Sequence, residues 1–376
     1  MWKPPDAIAH RFPLIARPRP ACLRLPQRVH GLVELAVSAS DLGDPSMAST
    51  VYNQAALIAS DVGDPDTARE MCHQHAAAYL HAAPLPGRTA IRALEPVVNL
   101  ARLQLRAGQH GEGRQRLLAL FDAVSTGAPA QVEDIAIPAD LIANAEDRQE
   151  VRAWLWRVLL ADGTRSLTTA GRWTEALAHV EEHRGVGQRM FDGRQVAVLA
   201  ALTTGNTLGA NNLLASTESG EPWENAVTSC LTVLCRRAAG RVWRRRLQNL
   251  LTTYLERPDR DDMTVFNTRL GLAVLDVIAS PEDPAARLVV AELHRRTNKA
   301  TDGYAARETL AHPLFTALAT DREAQDCRAL LHACALETGP LPNELRGQLT
   351  KALRTSDHTI RKSVAHLERA CPIRQK

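Results

Sequence analysis

The chain has 376 residues, 45 Lys+Arg against 42 Asp+Glu, and a formal net charge of +3. With 45% apolar and 4% aromatic residues it can bury a large core, and its near-balanced charge excludes both an acidic disordered tail and a strongly basic nucleic-acid module. No apolar run approaches the ~20 residues that cross a bilayer, so no membrane association is expected.

The first 28 residues carry Lys3, Arg11, Arg17, Arg19, Arg24 and Arg28, six prolines and one acid, Asp6. Lacking a continuous hydrophobic segment, residues 1–28 read as a disordered Pro/Arg-rich leader or the product of a misassigned start codon, not a secretory signal. Helical repeats are expected over 29–125. Ser40-Asp-Leu-Gly-Asp-Pro45 recurs as Ser60-Asp-Val-Gly-Asp-Pro65, and each copy both ends and starts a helix. Gly43 and Gly63 suit a left-handed helix end, Asp44 and Asp64 a cap, and Pro45 and Pro65 a first turn. The same event recurs as a glycine followed five residues later by a small residue: Gly43/Ala48, Gly63/Ala68, Gly108/Gly113, Gly171/Ala176 and Gly205/Ala210. A small residue one turn into the second helix admits close approach, and the residue four further on (Tyr52, Cys72, Leu117, Val180, Leu214) fills the space above it.

Residues 126–146, with Pro129 and Pro138 and little helical period, read as a long loop. Helices resume over 147–370, among them 147–170, 172–183, 187–204, 241–256 and 342–370, the last with a possible break near Thr355. No segment shows the β-branched, period-two alternation of a strand, so the fold class is all-α.

From about Arg157 to Met190 the chain resembles the tetratricopeptide repeat. Leu160, Leu167, Gly171, Arg172-Trp173, Glu175-Ala176 and Val180 fall where that family places packing residues. The first two turns are twenty residues apart rather than 34, so the repeats are degenerate. The resemblance implies stacked antiparallel helical hairpins forming a tetratricopeptide-like α-α superhelix. Such arrays in actinobacteria often serve regulators, and with only five lysines against 40 arginines the composition fits a GC-rich genome of that kind. The seven cysteines, odd in number and without a C-x-x-C, fit neither a disulfide framework nor a zinc knuckle, and a cytoplasmic location is expected.

One string looks catalytic. His179-Val-Glu-Glu182-His183 matches the H-x-x-E-H of inverted zinc peptidases, in which two histidines one turn apart bind zinc and the glutamate is the base. On a helix packed through Trp173, Ala176, Leu177 and Val180, however, His183 falls about 70° from the stripe's centre, His179 about 110° and Glu182 about 170°. Two solvent-flank histidines are therefore preferred, with a zinc-dependent hydrolase as the alternative. A second alternative, a nucleic-acid-binding array, rests on six arginines between Arg236 and Arg246 around Trp243. These scatter around their helix, and nucleic acid is not the expected partner.

The reading favoured at this level is a non-enzymatic scaffold, adaptor or regulatory protein with no cofactor, metal or catalytic constellation. It binds a protein or peptide on the concave face of the array, where Asn53, Gln54, Asn99, Arg102, Arg106, Arg165 and Gln195 stand. Amides pair with peptide groups, and arginine grips carboxylates with two bonds.

Overall fold

In the computed structural model, which describes residues 6–17 and 19–370, all five hinge glycines lie in tight turns with positive φ: +63° at Gly43, +93° at Gly63, +78° at Gly108, +71° at Gly171 and +81° at Gly205. A side chain at such an angle would press its Cβ against the following carbonyl, which is why the motif needs glycine. The Asp44 carboxylate accepts from Ser46 N at 2.7 Å and that of Asp64 from Thr67 N at 3.1 Å, capping the helices that open with Pro45 and Pro65. The small partners Ala48, Ala68, Ala176 and Ala210 are fully buried. At the fifth site, a Cβ on Gly113 would stand 2.9 Å from Ala101 O, so those two helices touch backbone to side.

Among the described residues the chain is all-α apart from one small hairpin, and its helices divide into two units. One comprises 25–166 and 335–370. Its helices Leu25–Leu42, Pro45–Val62, Pro65–Leu80, Gly87–Arg106 and His110–Thr126 pack each against the next, and Asn343–Ala370 returns to lie on the first two. That last helix runs unbroken through Thr355, whose hydroxyl bonds the Lys351 carbonyl within the helix. Between Ala145–Val158 and Thr164–Thr169 the backbone makes one π-helical turn, Leu159–Gly163.

The expected loop 126–146 contains strands Ala130–Val132 and Ile135–Ile137, paired antiparallel. Val132, Ile135 and Ile137 are buried. At the turn Glu133 takes φ +50°, and its carboxylate meets Arg69, His73 and Arg116. Burial pushes this acid up, but the bonds from Arg116 and His73 outweigh it and its pKa falls.

The other unit comprises 6–17, 19–24 and 167–334. Its helices include Trp173–Glu182, Asp192–Thr203, Pro222–Ala238, Thr264–Ile278 and Pro284–Ala300. The expected disordered leader is corrected here, because Ile8, Phe12, Leu14 and Cys22 are all buried in this unit and its helical neighbour begins at Leu25 rather than Val29. Arginine and proline content alone concealed the apolar residues at positions 8, 12 and 14. Residues 1–5 and Pro18 of that leader, and Cys371 among the cysteines, lie outside the described residues. No helix among the described residues is long and apolar enough to cross a membrane.

Candidate metal centre

The helix Trp173–Glu182 buries Trp173, Ala176 and Val180, as its apolar period requires, and it buries His179 as well. At its end His183 leaves helical geometry (φ −91°, ψ 11°), and Gly185 N closes the helix on Val180 O at 2.7 Å. His179, Glu182 and His183 bring one ligand atom each to within 4.8 Å of one another. The expected solvent-flank position of His179 is corrected, because its ring is buried, whereas Glu182 is exposed, in keeping with its outward direction on the wheel. Residues three and four apart are neighbours on one helix surface, so the spacing of 179, 182 and 183 itself brings the three side chains together.

Three features suit a cation. The His183 ring nitrogen Nδ1 donates to the His179 carbonyl at 2.8 Å, which fixes the tautomer and leaves Nε2 as the basic nitrogen. The two rings lie 4.5 Å apart at 50°, so both histidines belong to one cluster. The cluster also occupies the last helical turn, where the carbonyl dipoles favour positive charge. Around tetrahedral zinc, with bonds of about 2.1 Å, ligand atoms stand ~3.4 Å apart. Ligand atoms that stand within 4.8 Å of one another must draw closer to reach that spacing, and the exposed Glu182 side chain is free of the packing that would hold its rotamer.

The residues expected to hold a peptide fare differently. Asn53 donates to Glu95 Oε2 at 2.7 Å and Asn99 donates to Asn53 Oδ1 at 2.9 Å. Arg102 bonds Asn99 at 3.1 Å and Asp162, within the π-helical turn, at 2.8 Å. Arg106 reaches Ser60 at 3.0 Å and Asp61 at 3.2 Å. Burial raises the Glu95 pKa against the opposing pull of Asn53, Arg92 and Arg102. Gln54 and Arg165 are half-buried in the same unit. Gln195 stands apart from them: it belongs to the other unit and is fully buried, so its place on an open face is corrected.

Three of the six clustered arginines are likewise engaged within the fold, while Arg241, Arg245 and Arg246 are exposed. Arg236 donates to Val242 O and Arg237 to Val277 O, both at 2.7 Å, while Arg237 and Arg244 lie over Trp243. Sequence reasoning missed Glu133 and its three basic partners, because the hairpin that presents it is too short for a periodic signal. It also missed the docking of the N-terminal segment. No protein-family model, curated protein or solved structure matches this chain.

Proposed function

We propose that this protein is a metal-dependent hydrolase whose zinc-type divalent ion is bound by His179, Glu182 and His183. The observation that carries the reading is the convergence of these three ligand atoms, one of them on a buried imidazole. Two histidines and a carboxylate are a borderline-soft donor set that suits zinc, and three protein ligands leave a fourth position for water. Exposure of Glu182 keeps that position open to solvent. A bound ion would lower the pKa of that water to near 7 and so supply hydroxide for attack on a carbonyl or phosphoryl ester.

The alternative is a non-enzymatic scaffold, a tetratricopeptide-like superhelix that docks a peptide on Asn53, Gln54, Asn99, Arg102, Arg106 and Arg165. It has weaker support, because four of these side chains already bond one another or neighbouring acids.

Metal analysis of protein purified without an affinity tag discriminates the two. We expect one equivalent of a divalent transition ion, loss of that ion in His183→Gln and Glu182→Gln, and chelator-sensitive ester hydrolysis. Folded protein that binds no zinc on titration and hydrolyses no ester would sink the metal reading and return the scaffold to first place.

A further inference from the structure

Gln195 does what the sequence expected of the docking amides, but its partner is the chain's own N-terminal segment. Its Oε1 accepts from Leu14 N at 2.7 Å and its Nε2 donates to Leu14 O at 2.8 Å, so one carboxamide satisfies both main-chain groups of one extended residue. The same Nε2 donates to Met190 O at 3.0 Å, which anchors the carboxamide to its own unit. On either side of Leu14, Arg11 pairs with Asp276 and Arg17 with Asp192. Phe12 and Leu14 are buried, and the Cys22 carbonyl accepts from Gly303 N at 2.8 Å. From Phe12 to Arg24 the described residues form neither helix nor strand. They reach this unit as a separate piece of chain, since the unit resumes only at Leu167.

This is the chemistry of peptide recognition. Main-chain bonds give affinity regardless of sequence, and side-chain pockets and charges add specificity. We infer that residues 8–22 are a tethered ligand, and that the groove holding them accepts an extended peptide of another chain with the pattern Arg-Phe-x-Leu-x-x-Arg. Asp276 and Asp192 read the two arginines, Gln195 reads the main chain, and the sites of Phe12 and Leu14 take the apolar residues. A covalently linked occupant competes at an effective concentration of about millimolar, so a free peptide enters only when the segment is displaced. The inference is independent of the metal reading.

The test uses the full chain and a fluorescein-labelled peptide copying residues 8–22. Leu14→Asp places a charge in an apolar site and unseats the tethered segment. We expect this variant to bind the peptide at least ~10-fold more tightly than the unaltered chain, and Gln195→Ala in the same background to lose about 10-fold through its two missing hydrogen bonds. Equal peptide affinity in the folded unaltered and Leu14→Asp proteins would overturn the inference. Should Leu14→Asp fail to fold, hydrogen exchange on the Gln195→Ala chain decides. Faster exchange at Leu14 with unchanged protection in Thr264–Ile278 supports a detachable ligand, whereas joint loss across both makes the segment ordinary core and overturns it.

Discussion

His75 stacks on Tyr52 with ring centroids 4.9 Å apart and planes 8° from parallel, and its Nε2 is buried without a hydrogen-bond partner. Burial pushes the imidazole pKa down to about 3, far below the unfolded value near 6.5. The native state therefore holds His75 neutral while the unfolded chain takes up a proton. Stability from this residue is intact above pH 6.5 and is lost progressively as pH falls toward 3. Between pH 7 and 5.5 the unfolding free energy should drop by about 1 kcal/mol on this account. Urea melts across that range should show the drop in the unaltered chain and a shallower slope in His75→Phe, which keeps a ring to stack on Tyr52. Parallel slopes would mean that His75 is protonated in the fold. That His73 and His75 diverge was legible from their spacing, since residues two apart on a helix point in different directions. The cluster at His179 was only half legible: the i, i+3, i+4 spacing announced three ligand types side by side on one helix, but the burial of His179 depends on what packs over that helix and has no signature in the period.

At the scale of elements, the hinges were readable because turn chemistry is local: glycine, aspartate cap and proline stand together in the first two turns, and a glycine with a small residue five positions on marks the other three. Gly111 and Gly113 show how finely the pattern discriminates, since both lie in the first turn of His110–Thr126. A Cβ on Gly111 meets nothing within 4 Å, whereas one on Gly113 would stand 2.7 Å from Leu105 Cδ2 and 2.9 Å from Ala101 O. Gly111→Ala should stabilise the protein by ~0.5–1 kcal/mol through lost unfolded-state entropy. Gly113→Ala must push two helices apart and should destabilise by about 1–3 kcal/mol. Opposite shifts in the denaturation midpoints of the two variants would bear this out, and shifts of the same sign would remove the close-approach argument. The hairpin 130–137 was not readable, because strands of three residues fall below the length at which alternation can be counted.

For the whole molecule, sequence order and spatial order part company. Helical periods identified the segments, but nothing local indicates that Asn343–Ala370 packs on Leu25–Leu42 and Pro45–Val62, or that residues 6–17 and 19–24 join 167–334. Both facts depend on contacts between distant parts of the chain, where composition at one end carries no record of the other. The C-terminal helix contributes Leu349, Leu353, Ile360 and Val364 to the same buried cluster as Val29, Leu32 and Val51. Ile360, fully buried there, is the side chain to test. Ile360→Ala should cost 2–5 kcal/mol through lost transfer energy and a residual cavity, and Ile360→Val about 0.5–1.5 kcal/mol. If the helix closes this unit, native-state hydrogen exchange in Ile360→Ala should speed up in Leu25–Leu42, at the opposite end of the chain, together with 343–370. Faster exchange confined to 343–370, with Leu25–Leu42 unchanged, would show that the helix frays alone and that the unit holds without it.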